Sequence, residues 1–453
     1  MHFRVCRRAV STISVPSTAA SYQSDAEALG RFFYRNKNVE RWGGKSAVRM
    51  TLRQLIMYSQ SARRNSQLLL DSANFVRTEL ATRIAHRIRD MQTLPMVVMS
   101  NDKLDTIYQH YWHTFETIRQ LNRIETTEQN EELVHYLSLI LSSLDSKLAL
   151  LVSITQECSQ YMRQSAVDVF IGRMLRSQIS REILARQHMA LWAMQGDDHA
   201  ISLKSTIGVI DTRLDVTRVL RESAANAASM VVYDKGWAPG DARVPAVVFD
   251  GDLDVHMAYL PTHLEFIATE LIKLAFQDTM QSRTPQAPVQ VTIVAGPPMA
   301  DLIVRVSYRG GGLKQPRPAR GGLPAAFARG PLLIPGSSAA DAGLDPIWSF
   351  ANIARRVESK LFDTEQAERQ ERVERAARES SDALASDSLS TARESDALMR
   401  LTTLSHDAKS SLPIVRLYAE IFGGSLEFRT MDGYGTDFYL RLPKFGTTQE
   451  LHE

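Results

Sequence analysis

The segment Leu412–Phe445, LPIVRLYAEIFGGSLEFRTMDGYGTDFYLRLPKF, constrains the fold more than any other stretch. Leu412, Val415, Tyr418, Ala419 and Phe422 recur at helical spacing and predict a helix with one apolar stripe. Gly423-Gly424 supplies the flexible stop that ends such a helix. Two short strands follow, SLEFRT and FYLRLP, joined by the turn residues Asp432, Gly433, Tyr434 and Gly435. Helix, stop and two strands read as one folded unit, which the rest of the chain must complete.

It has the length to do so. The 453 residues suffice for two domains with full cores. Apolar residues at 44% and charged residues at 23% are ordinary globular values. A net charge of +2 gives no basis for nucleic-acid or membrane-surface binding, and no apolar run approaches a bilayer span. Two cysteines, Cys6 and Cys158, exclude a disulfide framework and a cysteine-built zinc site. Cys158 reads as a core thiol in a helix.

Arg4, Arg7 and Arg8, several Ser and Thr, and no acid before Asp25 give residues 1–24 the composition of a mitochondrial transit peptide. A disordered basic tail is the alternative. From about Leu52 to Leu191 the sequence is helical almost throughout. Leu70, Ala73, Val76, Leu80, Ile84 and Ile88 are spaced by three or four, and Thr93-Leu94-Pro95 ends that run. Tyr108–Ile124, Glu132–Met162 (with Leu139, Leu144 and Leu148 as buried candidates) and the stretch from Val169 to Trp192 continue the pattern. Long amphipathic helices with short joins predict an up-and-down bundle over 46–198. After Gly196-Asp197-Asp198, β-rich runs alternate with turns and helices, which places a boundary near residue 200 and a second domain over 200–446. Within it, THLEFIATELIKLAFQDTM predicts a helix over Thr262–Met280, and VQVTIVAG and DLIVRVSY predict a hairpin around Pro297-Pro298. Residues 313–411 read as an extended lid or insertion, rich in Gly, Pro and Ala first and highly charged from 355 to 411.

Helix, Gly-Gly, strand, GxGT turn and strand resemble the closing unit of the ATP-binding domain shared by histidine kinases, heat-shock-class chaperone ATPases and mitochondrial dehydrogenase kinases. The words RLYAEIFGGSL and GYGTDFYLRL are most similar to the last group, the branched-chain 2-oxoacid and pyruvate dehydrogenase kinases. ELATRIAHRIRDMQTLP, with RIAHRI at Arg83 to Ile88, resembles an early segment of the branched-chain kinase. GRMLRSQIS and LARQHMAL resemble its last bundle helix, where His188 matches and Glu182 replaces an arginine. His86 and His188 read as core or supporting histidines, since neither has a carboxylate or cysteine partner at ligand spacing. The resemblance implies an α + α/β architecture: an N-terminal helical bundle followed by a histidine-kinase/heat-shock-chaperone-like (Bergerat-type) ATPase α/β sandwich.

The same resemblance supplies expectations for the site. The family takes its general base and magnesium ligand from E-x-x-K-N on a helix, and its adenine acceptor from D-x-G-x-G after a strand. A glycine-rich lid ending in L-P and a G-T pair complete the set. Glu270 and Lys273 hold the first and fourth helix positions in ELIKLAF, making Glu270 the expected catalytic residue. Leu274 stands at the asparagine position and has no oxygen for a metal, so no metal ligand is assigned. Tyr308 stands at the aspartate position, with Gly310 and Gly312 kept. Asp407, Lys409 and Ser411 occupy lid-glycine positions before Leu412, while Ala351 and Asn352 stand at lid threonines. Gly435 and Thr436 are intact. Lys273, Leu274, Tyr308, Gly310, Gly312, Leu412, Gly435 and Thr436 are thus the expected nucleotide-pocket residues. The plainer reading makes Glu270 and Lys273 an exposed helix pair beside a core leucine.

ATP and magnesium are the cofactors that the resemblance implies. It further implies a mitochondrial matrix protein-serine kinase acting on the decarboxylase subunit of a 2-oxoacid dehydrogenase complex. Such kinases dock on the lipoyl-bearing acyltransferase and dimerise, here as a homodimer or with a paralogue. Loss of the asparagine, aspartate and lid glycines keeps open a pseudokinase that modulates an active paralogue or the complex, or a scaffold in another mitochondrial assembly.

Overall fold

The computed structural model describes residues 37–62, 65–158, 161–194, 206–237, 243–282, 284–296, 301–312, 348–350, 411–431 and 433–444. The basic leader, the residue-200 boundary, the 297–298 turn, Asp407, Lys409, Ala351, Asn352, Asp432 and the charged stretch lie outside them.

The N-terminal part is helical: α1 (Lys37–Gly43), α2 (Leu52–Ala62), α3 (Ser66–Gln92), α4 (Met96–Met99), α5 (Asp102–Gln120), α6 (Thr127–Cys158) and α7 (Gln164–Ala193). Helix starts follow local chemistry. Asn65 accepts the Gln67 N–H at the head of α3, and Asn101 accepts those of Lys103 and Leu104 at the head of α5. α3 packs on α1, α5 and α7, and α6 packs on α5 and α7. Ala73, Val76, Leu80, Ile84 and Ile88 are buried along α3 as the spacing required. Cys158 is buried at the end of α6. Leu139 is not buried: it is 52% exposed, because Leu133, Leu137 and Ile140 form the inward stripe of α6 and Leu139 falls off it. The side chains of Leu144 and Leu148 lie outside the description.

Two sheets follow. β1 (Thr206–Ile207), β2 (Ile210–Asp215) and β4 (His256–Tyr259) form a small antiparallel sheet. β3 (Val247–Gly251), β5 (Val289–Ala295), β6 (Leu302–Tyr308), β8 (Gly435–Leu442) and β7 (Ser425–Met431) form the larger one, in the order β3-β5-β6-β8-β7. β3 and β5 are parallel, and the other pairs are antiparallel. β5 and β6 make the expected pair; β8 begins at Gly435, earlier than the sequence suggests, because Gly435 and Thr436 already pair with Met431 and Thr430.

Val289, Val291, Ile293, Leu302, Val304, Val306, Phe438, Leu440 and Leu442 form the buried side of this sheet. Against it lies α9 (Pro261–Met280), with α10 (Leu412–Glu420) beside it and α8 (Val216–Lys235) packed along α9. α9 is buried nearly all round, its Phe266, Glu270 and Lys273 as fully as its Leu264, Ile267, Leu271 and Leu274. Glu270 and Lys273 are therefore not an exposed pair. The helical part meets this α/β part along α7: Gln187 Oε1 accepts the Val209 N–H, Gln187 Nε2 donates to the Ile207 carbonyl, and Arg176 pairs with Glu420. Among the described residues, no helix is long and apolar enough to cross a membrane.

Candidate functional site

Glu270, Leu274 and Asp278 are four residues apart and share one face of α9. They set out three stations over about 12 Å of helix.

At the first station, Lys273 Nζ donates to Glu270 Oε1 at 2.6 Å, and Ser411 Oγ donates to Glu270 Oε2 at 2.6 Å. Glu270 is 3% exposed, Lys273 1% and Ser411 2%. Both carboxylate oxygens are thus engaged by the protein. Ser411 reaches Glu270 because it immediately precedes α10, whose Pro413 sits in the first turn and whose Leu412 is buried beside it. Where the resemblance expects a lid glycine, Ser411 brings a hydroxyl onto the acid; a glycine has none to bring.

At the second station, Leu274 is wholly buried hydrocarbon. Magnesium requires oxygen ligands. Leu274 offers none, each oxygen of Glu270 already accepts a hydrogen bond, and no cluster of three His, Cys, Asp or Glu capable of holding a metal occurs among the described residues. The described residues of this station do not fit a magnesium ion.

At the third station the structure gathers Tyr308, Asp278, Gly310 and Thr436. Tyr308 ends β6 and pairs in register with Thr436 of β8. Its ring stacks near Phe438, with centroids 6.4 Å apart. The Tyr308 hydroxyl is buried with no well-formed hydrogen bond among the described residues. Burial raises its pKa; neighbouring Thr436 partly offsets this and Asp278 adds to it. A Cβ on Gly310 would stand 2.2 Å from Asp278 Oδ2, so this glycine is what lets the carboxylate lie against the backbone. Gly435 is required for a similar reason: its φ is +151° and a Cβ would stand 2.1 Å from the Tyr308 carbonyl. Gly312 is buried with φ +81°.

Of the expected site residues, Glu270 and Lys273 come together with Ser411, and Tyr308, Gly310 and Thr436 with Asp278, on either side of Leu274. Asp278 went unread in the sequence, although its place eight residues after Glu270 puts it on the same helix face. His86 and His188 do supporting work. His188 bridges Ser72 Oγ at 3.1 Å and Asn130 Oδ1 at 2.9 Å, with its pKa lowered to about 4 by burial. His86 Nε2 meets the Lys45 carbonyl at 2.7 Å.

A separate apolar cavity of about 760 Å³ lies in the helical part, lined by Val48, Met50, Met57, Tyr58, Leu68 and Phe75, with Arg49, Gln54 and Ser61 contributing.

The family model described as mitochondrial branched-chain alpha-ketoacid dehydrogenase kinase matches residues 49–211. The chain is 24% identical over 422 residues to the mitochondrial pyruvate dehydrogenase (acetyl-transferring) kinase of Arabidopsis thaliana, covering 91% of this chain and 95% of that one. It is 25% identical over 316 residues to the mitochondrial pyruvate dehydrogenase (acetyl-transferring) kinase 2 of Saccharomyces cerevisiae, covering 66% of this chain and 62%, under two thirds, of that relative. It is 24% identical over 302 residues to the mitochondrial pyruvate dehydrogenase (acetyl-transferring) kinase isozyme 4 of Rattus norvegicus, covering 64% and 70% respectively.

Proposed function

We infer that this chain, which belongs to the mitochondrial 2-oxoacid dehydrogenase kinase family, is a regulatory member that docks on a dehydrogenase complex without transferring phosphate from ATP. The observation that carries this reading is the Glu270 carboxylate hydrogen-bonded on both oxygens. A general base must be free to accept a proton from the acceptor hydroxyl, whereas Glu270 is held by Lys273 on one oxygen and by Ser411 on the other. Buried Leu274 at the next station removes the metal ligand as well.

The proposal extends to the whole protein. Residues 1–24 direct it to the mitochondrial matrix, 46–198 form the docking bundle, and 200–446 form the degenerate ATPase domain with its insertion at 313–411. Its partners are the lipoyl-bearing acyltransferase and decarboxylase subunit of a 2-oxoacid dehydrogenase complex, engaged as a homodimer or with an active paralogue. The cavity beside Tyr58 and Phe75 has the apolar lining that a lipoyl arm would seek.

A second reading keeps an active protein-serine kinase, in which Glu270 is the base and Lys273, Tyr308, Gly310, Gly312, Leu412, Gly435 and Thr436 line the nucleotide pocket. The intact Gly435-Thr436 start of β8 favours it.

Co-sedimentation of the purified mature protein with a reconstituted complex tests the docking half. The protein should travel with lipoylated acyltransferase and not with the unlipoylated form, and should add no phosphate to the decarboxylase subunit. Binding to neither form would overturn docking, and phosphate incorporation would favour the second reading.

A further inference from the structure

The triplet Trp348–Phe350 touches both the bundle and the α/β domain. Asp168, Gly172 and Arg176 are spaced by four and share one face of α7. Asp168 Oδ1 accepts from Ser349 Oγ at 3.1 Å and from the Phe350 N–H at 3.0 Å. The Phe350 ring lies over Gly172, within 3.6 Å of where a Cβ would stand. Arg176 Nη2 reaches Glu420 of α10 at 2.9 Å, and Glu420 also holds Arg416 at 2.7 Å. Arg416 in turn lies over the Trp348 ring at 4.9 Å. The loop of contacts α7–Ser349/Phe350–Trp348–Arg416–Glu420–α7 is closed.

From this loop, two routes lead into the site. Along α10, the chain runs from Glu420 and Arg416 to Ser411, whose hydroxyl holds Glu270. Along the sheet, aromatic rings step from Trp348 to Phe428 (5.6 Å), to Phe438 (6.0 Å) and to Tyr308 (6.4 Å). Asp168 is buried, and burial raises its pKa against the opposing donors Gln164, Ser349 and Phe350. A charge so placed is retained only by the hydrogen bonds that compensate it.

We propose that Trp348–Phe350 is a clasp coupling α7 of the bundle to both ends of the site, so that Asp168 and Arg176 are positioning residues for Glu270 and Tyr308. Each end of α10 is held by a polar contact, Arg176–Glu420 at one and Ser411–Glu270 at the other. Loosening the first must loosen the second if the helix moves as a unit. The coupling does not depend on whether the site turns over ATP, because it concerns how the site is held.

Hydrogen–deuterium exchange on the full chain tests it. Asp168→Ala should speed exchange roughly tenfold, the scale of a lost charge-assisted bond, in 411–420 and also in 266–274 around Glu270. Asp168→Asn keeps an acceptor oxygen for Ser349 and Phe350 and should restore near-native exchange in both. Arg176→Ala should act in the same direction, and the two alanine changes together should be non-additive. Ser411→Ala, which leaves every α7 side chain in place, guards against misfolding of the α7 variants: it should speed exchange in 266–274 and, through α10, in 348–350 as well. Faster exchange confined to α7 and 348–350 in Asp168→Ala, with 266–274 unchanged, would overturn the proposal. So would equal effects of Asp168→Ala and Asp168→Asn.

Discussion

Replacing Lys273 by methionine asks whether Glu270 is a paired structural group or an idle acid. The two charges are 2.6 Å apart and almost fully buried. With an effective dielectric of about 20, their attraction is roughly 6 kcal/mol, most of it offset by the desolvation of two ions. The net value of the pair is therefore small, but removing one partner is not a small change. Lys273→Met leaves the Glu270 carboxylate buried with Ser411 alone, which costs about 3–5 kcal/mol. For a unit of this size each kcal/mol moves the melting temperature by roughly 2–4 °C, so calorimetry should show a drop of about 6–20 °C. Glu270→Gln in the same background removes the stranded charge while still accepting from Ser411, and should recover at least half of the loss. A cost under about 1 kcal/mol, the range of exposed pairs, or a double variant no better than the single, would refute the reasoning.

Three further outcomes follow from the same geometry. His188 and His263 have pKa values lowered to about 4 and about 3, by burial in both cases and also by Arg186 for His263. Both stay neutral in the fold but charge in the unfolded chain below the ordinary histidine pKa. Stability should therefore fall as pH drops from about 6.5 toward 4, by roughly 1.4 kcal/mol per pH unit per histidine, readable in denaturant midpoints; a flat profile over that range would count against it. Leu274→Asn should lower stability by about 2–4 kcal/mol through a buried, unsatisfied amide, and should not by itself create magnesium-dependent ATP binding. Gly310→Ala forces a methyl onto the Asp278 carboxylate and should cost about 1–3 kcal/mol, with Asp278→Ala in the same background relieving it; an unrelieved loss would mean the Tyr308 ring, not Asp278, is the obstacle.

Much of this was legible in the sequence because it is local. Helical spacing located α3, α7, α9 and α10, and alternation located β5, β6, β7 and β8, since each signal is carried by the residues of one element. What the sequence left open depends on what an element meets. Leu139 keeps helical company with buried residues yet faces outward, because which stripe of α6 turns inward is decided by α5 and α7. Glu270 and Lys273 fit a solvated pair equally well on α9 alone; the sheet, α8 and α10 are what bury them. Ser411 could be read as a lost lid glycine but not as a hydroxyl on Glu270, since 141 residues separate them. Asp168 and Ser349, 181 residues apart, carried no local signal at all.

Glu270 accepts a hydrogen bond on each carboxylate oxygen, and the described residues offer no ligand set for magnesium. Isothermal titration of the purified mature protein with ATP, with and without magnesium, tests it most directly. The expected result is no magnesium-dependent heat at millimolar ATP and no phosphoryl transfer to a decarboxylase subunit. Magnesium-dependent ATP binding, with transfer that Glu270→Gln abolishes while binding persists, would contradict it.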